Sequence, residues 1–227
     1  MSAAARTLLV VGDSLSAAYG MELRSGWVAL LGKRLRQEKP GYRVVNASIS
    51  GDTTASGLAR LPRLLAEHKP AVVIIELGGN DGLRGLSLGQ MKHNIGAMVA
   101  KARARRARVL LVGVRLPPNY GTSYTERFQA IFREIAAEQG VALVPSLLEG
   151  VATQDDLMQT DRIHANAGAQ PRLLENVWRY LRPLLEAGPA GASFPAEHYA
   201  PGNKKGRYPR AADTGPFLPV FTCRASS

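Results

Sequence analysis

The chain has 227 residues, 45% of them hydrophobic and 21% charged, with a net charge of +11 and a single cysteine, Cys223. That is enough chain for one globular domain with a sizeable core. It excludes a membrane-spanning bundle, because no apolar run approaches the roughly 20 residues that a span needs. It also excludes an intramolecular disulfide.

The N-terminus, Met1-Ser2-Ala3-Ala4-Ala5-Arg6, has no apolar stretch and is not a signal peptide as it stands. The first apolar run, Thr7 to Val11, reads as a strand and stops at Gly12-Asp13-Ser14. The residues after it can begin a helix, so the plain structural reading of Asp13 or Ser14 is a helix cap. Trp27 to Glu38 carries Trp27, Leu30, Leu31 and Leu35 at helical spacing. Tyr42 to Ala47 is a second strand, and Leu58, Leu61, Leu64 and Leu65 mark a second helix. Ala71 to Leu77 is almost wholly apolar, as expected of a central parallel strand buried on both faces. Leu88 to Arg105 reads as a helix, Val109 to Val114 as a strand, and Tyr124 to Gln139 as a helix with Phe128, Ile131, Phe132 and Ile135 on one face. Val141 to Val144 is a short fifth strand, and Ala169 to Leu185 a last helix. Strands separated by helical segments predict an α/β fold, a three-layer sandwich around a five-stranded parallel sheet of flavodoxin-like order 2-1-3-4-5. From about Glu186 the periodicity fails. Residues 188–227 read as a Pro/Gly/Ala-rich tail beyond a domain of residues 1–187.

The basic run Lys101, Arg103, Arg105, Arg106 and Arg108 sits where a helix should end, where cations are favoured. No aromatics interleave with it, so no nucleic-acid partner is expected. His68, His93, His164 and His198 form no pair at metal-ligand spacing, and there is no CxxC, so no metal is expected.

Four polar clusters fall after strands or before the last helix: Gly12-Asp13-Ser14, Gly51-Asp52-Thr53, Gly78-Gly79-Asn80-Asp81 and Asp161-Arg162-Ile163-His164. Singly each is weak, since turn glycines, caps and structural histidines are common. Together they would meet beyond the carboxyl ends of a parallel sheet, where such folds hold their working residues. A serine hydroxyl needs a base, and His164 is the candidate. Asp161, three residues earlier, can return its carboxylate to the ring within one turn. The Ser14 N–H, the Gly51 N–H and the Asn80 amide could face an oxyanion.

These blocks resemble those of the GDSL, or SGNH, hydrolase family. Longer stretches are similar to its arylesterase, acyl-CoA thioesterase and lysophospholipase branch: Gly51-Asp52-Thr53-Thr54, Glu76-Leu77-Gly78-Gly79-Asn80-Asp81-Gly82-Leu83-Arg84-Gly85 and Arg115-Leu116-Pro117-Pro118-Asn119-Tyr120-Gly121. The resemblance implies Ser14 as nucleophile, His164 as base and Asp161 as its orienting acid. It implies Ser14, Gly51 and Asn80 as oxyanion donors, and a substrate-binding wall of Gly79, Pro117, Pro118 and Tyr120. It implies hydrolysis of small-molecule esters or thioesters, no cofactor, no stable membrane insertion, and a periplasmic or secreted location. A carbohydrate acetyl-esterase of the same superfamily and a non-catalytic flavodoxin-like anion-binding module are the alternatives. The oligomeric state is left open, with the tail a candidate for packing on a neighbour or over the acyl groove. Three departures stand out. In the last block Arg162 replaces a customary glycine and Ala165 a customary proline. Arg162 carries strain if its position has positive φ, and it could favour an anionic substrate. Ala18 stands where a glycine is common.

Overall fold

Side chains alternate across a strand, so Leu8 and Val10 leave one face of the first strand and Leu9 and Val11 the other. All four are fully buried, which requires a layer on each side. The structure, a computed structural model, describes residues 5–186. The tail expected from residue 188 lies outside the described residues. Strands β1 (Arg6–Gly12), β2 (Tyr42–Asn46), β3 (Val72–Glu76), β4 (Arg108–Val112) and β5 (Ala142–Val144) form one sheet. Its order is β2-β1-β3-β4-β5 and every pairing is parallel, as the alternation of strands and helices predicts.

Helices α1 (Trp27–Glu38) and α6 (Gln170–Glu186) cover one face. There Trp27, Leu31, Leu173 and Trp178 pack on Leu8, Val10, Val72 and Ile74. Helices α2 (Thr54–His68), α4 (Leu88–Ala104) and α5 (Thr122–Gln139) cover the other. There Leu61, Met98, Phe128 and Phe132 meet Leu9, Val11, Val73 and Ile75.

Four details differ from the sequence reading. No helix follows Ser14 directly; residues 14–20 make a run of turns, and the next α-helix is α1. Helix α2 starts at Thr54 rather than near Leu58, because Thr53 and Ser56 form a reciprocal capping box. A short helix, α3 (Gly79–Leu83), occupies the glycine-rich block after β3. Helix α4 ends at Ala104, so only Lys101 and Arg103 lie in its last turn. Arg108 opens β4 instead, half-buried, and its guanidinium donates to the Leu184 carbonyl.

From β1 the chain crosses to β2 on one side, and from β3 to β4 on the other. The crevice between the carboxyl ends of β1 and β3 is therefore the switch point of the sheet. Ser14 leaves one of these strands and Asn80 the other.

Candidate active site

The turn after β1 is built by Asp13. Its carbonyl accepts from the N–H groups of Ser16 and Ala17, and its Oδ1 accepts from the Leu15 N–H at 3.0 Å. This is the local hydrogen bonding expected of a cap, used here to close a turn that lifts Ser14 to the surface of the crevice. Ala18 completes the reversal at φ 59°. That is a left-handed conformation for which glycine is the unstrained residue.

His164 reaches Ser14 from the opposite end of the chain. Its Nε2 lies 2.8 Å from Ser14 Oγ, and its Nδ1 lies 2.6 Å from Asp161 Oδ2. The carboxylate favours the tautomer with hydrogen on Nδ1, which leaves the Nε2 lone pair facing the serine hydroxyl. Asp161 is itself held by the turn it belongs to. Its Oδ1 accepts from the N–H groups of Ile163 at 2.9 Å and His164 at 3.0 Å. Partial burial pushes the Asp161 carboxyl upward. The His164 N–H, the His164 ring and the Ile163 N–H outweigh it and hold the carboxyl at about 2. Arg162 sits inside this turn at φ 57°, so the strain expected of a side chain at that position is present. Its guanidinium is exposed and lies 3.6 Å from Asp155, outside the pairing of His164 with Ser14.

Residues that sequence reasoning passed over steady this loop. Gln159 accepts nothing from the triad but clamps both sides of it. Its N–H donates to the His164 carbonyl at 2.7 Å, and its side-chain amide donates to the carbonyls of Tyr19 and Ala165. Tyr19 lays its ring 4.5 Å from the imidazole, centroid to centroid. A clamp of this kind has no local pattern, since Gln159 and Tyr19 are far apart in sequence. The only signal was Gly20, whose φ of 73° a side chain adopts only with strain.

Gly51 adopts φ 83° after β2, and Asn80 lies in the first turn of α3. Among the described residues, neither the Ser14 N–H nor the Gly51 N–H donates a hydrogen bond to another protein atom. The Asn80 amide is oriented by two acceptors, the Asp52 carbonyl at 3.0 Å and Asp13 Oδ2 at 3.2 Å. Gly79 is buried against the same Asp13 oxygen, where a Cβ would come within 3.3 Å. Arg84 donates to the Gly51 carbonyl at 3.1 Å and so ties the Gly51 turn to the end of α3.

Pro117 is half-buried, and Pro118 to Tyr120 form a 3-10 turn beyond β4. Tyr120 Oη donates to the Leu83 carbonyl and Tyr124 Oη to the Gly82 carbonyl, which pins this loop over α3. Among the described residues, the exposed large apolar side chains are Tyr19, Leu23, Ile49, Leu86, Tyr120 and Ile163. Every one lies in a connection that leaves the carboxyl end of a strand, as Ser14 does. No group of three or more His, Cys, Asp or Glu among the described residues is arranged to hold a metal ion.

Residues 10–170 match the GDSL-like lipase/acylhydrolase family. The chain is 62% identical over 183 residues to esterase TesA of Pseudomonas aeruginosa, covering 81% of this chain and 91% of that protein. It is 46% identical over 184 residues to thioesterase 1/protease 1/lysophospholipase L1 of Escherichia coli, covering 81% and 87%. Among solved structures, the psychrotrophic esterase EstA of Pseudoalteromonas, inhibited by monoethylphosphonate, superposes with a TM-score of 0.76 at 38% identity, covering 80% of this chain and all of that one. With its blocks in order along the sheet edge and relatives this similar over most of its length, the chain belongs to the GDSL-like lipase/acylhydrolase family.

Proposed function

We infer that this protein is a serine hydrolase of carboxylic esters that works through an acyl-enzyme. The observation that carries this reading is the continuous Asp161–His164–Ser14 relay, with contacts of 2.6 Å and 2.8 Å. An anion-binding turn would need neither the imidazole nor the acid behind it. His164 Nε2 takes the Ser14 proton as Oγ attacks the acyl carbonyl, and Asp161 stabilises the imidazolium that forms. The oxyanion develops towards the free N–H groups of Ser14 and Gly51 and towards the Asn80 amide. His164 then protonates the leaving alcohol or thiol. It next deprotonates a water that attacks the acyl-enzyme, releases the acid and restores Ser14.

The acyl portion is proposed to lie along the apolar rim between the Pro117–Tyr120 turn and α3, with Gly79, Pro117, Pro118 and Tyr120 as its wall. The names of the relatives support aryl and acyl esters, acyl thioesters and lysophospholipids as the substrate range, in preference to a carbohydrate acetate. No helix among the described residues is long and apolar enough to cross a membrane. A periplasmic or secreted location is proposed on the family resemblance, and the absence of a nucleic-acid partner on the lack of aromatics among the basic residues from Lys101 to Arg108.

A fluorophosphonate probe should label Ser14, and Ser14→Ala should lose both the label and p-nitrophenyl ester hydrolysis, by at least about 1,000-fold in kcat. Ester turnover by the Ser14→Ala variant at the parent rate would sink the reading.

A further inference from the structure

Behind the nucleophile turn lies a pair of carboxyl groups that this mechanism does not use. Glu76 ends β3 opposite Gly12 of β1 and is fully buried, with 0% of its surface exposed. The carboxyl occupies the space a side chain at Gly12 would take, since a Cβ there would fall 2.8 Å from Glu76 Oε2. That oxygen accepts from Ser16 Oγ at 2.6 Å and, at 3.4 Å, from the Asp13 N–H. The other oxygen, Oε1, is buried and has no hydrogen-bond partner. Asp13 is 2% exposed and reaches forward to the site, with Oδ2 accepting from the Asn80 amide.

Among the described residues no lysine or arginine pairs with either carboxyl group. The charged and titratable groups acting on Asp13 are His164 and Asp52, and Asp52 is neutralised by Arg60 at 2.7 Å. The group acting on Glu76 is Asp13. Two adjacent carboxylates buried without a cation do not both ionise.

We propose that Glu76 is a positioning residue that works as a neutral, buried carboxylic acid, leaving Asp13 as the single negative charge behind Ser14 and the Asn80 amide held for the oxyanion. The proposal rests on the serine-hydrolase reading. The proton belongs on Glu76 rather than Asp13 for a geometric reason. Asp13 has the Leu15 N–H and the Asn80 amide at ordinary distances, and His164 beside it whenever the ring is protonated, whereas Glu76 has the Ser16 hydroxyl and a long 3.4 Å contact from the Asp13 N–H on Oε2 and nothing on Oε1. The direction of both shifts agrees. Burial pushes Asp13 up to about 6, and burial followed by the Asp13 charge pushes Glu76 well above the ordinary carboxylate range. Ionising Glu76 would set a second negative charge beside the first. It would oppose the oxyanion and repel the Asp13 carboxylate that holds the Asn80 amide. Catalysis therefore falls on the alkaline side as Glu76 loses its proton to solvent. The effect is on kcat, because Glu76 does not reach the crevice.

The test pairs Glu76→Gln, which fixes the neutral state with the same shape, with infrared spectroscopy of the carboxyl region. The parent at pH 7 should show a protonated-carboxylic-acid band that Glu76→Gln lacks. The parent's kcat should decline at alkaline pH with the midpoint at which that band bleaches, at constant KM. Glu76→Gln should keep at least half of the neutral-pH kcat and lose the alkaline decline. Absence of the band in the parent overturns the proposal, as does an unchanged alkaline limb in folded Glu76→Gln. If that variant does not fold, disagreement between the parent's own bleaching and kcat midpoints overturns it. Fluorophosphonate labelling of Ser14 in the parent is run alongside. Failure to label removes the hydrolase reading and leaves the band to report on Glu76 alone.

Discussion

Three residues of the site make different demands on their surroundings, and a substitution at each should read out differently. Asn80 is held by Asp52 and Asp13 and is proposed to serve only the transition state. Asn80→Ala should therefore lower kcat by about 100- to 1,000-fold with KM little changed, as steady-state kinetics on a p-nitrophenyl ester would show. Asp161 fixes the tautomer of His164, so Asp161→Asn should lower kcat by about 10,000-fold while Ser14 remains in place. Its folded-state pKa lies below the ordinary 3.8, so the stability it contributes is present above that value and is lost as pH falls towards about 2. The carboxyl is substantially exposed, and solvent screening keeps that contribution small. Arg162 is the reverse case, a residue whose replacement should help the fold. A left-handed conformation costs a non-glycine residue about 1–2 kcal/mol, and glycine's extra chain entropy offsets about 0.5–1 kcal/mol of the gain. Arg162→Gly should raise the urea midpoint slightly, and only an anionic substrate would register the lost guanidinium as a higher KM.

Among the elements, α3 does the most with the fewest residues. It lies between the nucleophile turn and the Pro117–Tyr120 turn and is fastened on both sides. Asp81 accepts from the backbone N–H of Thr54 at 2.9 Å and from its hydroxyl at 2.5 Å, which joins α3 to the start of α2. Gly82 packs so closely that a Cβ would fall 2.7 Å from both Leu116 and Phe128. Neither can retreat, because Phe128 is fully buried and Leu116 nearly so. Gly82→Ala should cost about 1–3 kcal/mol in thermal or urea unfolding. It should also lower kcat by shifting Asn80, two residues away in the same short helix. A substitution that left both quantities unchanged would show that α3 is not clamped as described. The 3-10 turn at Pro118–Tyr120 borrows its position from α3 through Tyr120 and Tyr124, so the same variant should alter the preference for acyl chain length.

For the molecule as a whole, the described residues 5–186 build a hydrophobic core on each face of the sheet. The chain ending at residue 187 is proposed to be the folded catalytic unit. Its melting temperature and its kcat on a short acyl ester should equal those of the full chain. A drop in either would assign the remaining residues a role in the groove or between molecules. The buried Asp13–Glu76 pair is proposed to contribute to the pH response of the fold. A carboxyl whose folded pKa is raised contributes its stability below the unfolded value and loses it as pH rises through the folded one. Glu76→Gln should therefore become progressively more stable than the parent as pH rises above the ordinary glutamate value of 4.5. Parallel thermal melts over a pH series would show a gap that widens, and a constant gap would argue against a protonated Glu76.

What the sequence determined by itself was whatever repeats locally or belongs to a compact block. Strand β3 was legible because Val72 to Ile75 are four consecutive apolar residues, with no polar alternation between them. The parallel pairing followed from strands alternating with helices, while the order matched a flavodoxin-like expectation that the alternation alone does not fix. Asp161 and His164 could be paired because they lie three positions apart, within reach of one turn. Ser14 and Asn80 could be nominated because glycine-rich blocks followed strands. Tertiary structure decided the rest, since it depends on atoms brought together across the fold. The capping box at Thr53 and Ser56 was hidden inside a block read for its chemistry, and α3 inside one read as a turn. Gln159 meets Tyr19 only because the last loop folds back over the first. Glu76 looks like the polar end of an apolar strand until Gly12 is found opposite it with no side chain to intervene. Its proton is a property of that burial, because a carboxyl gives up its charge when neither water nor a cation can reach it.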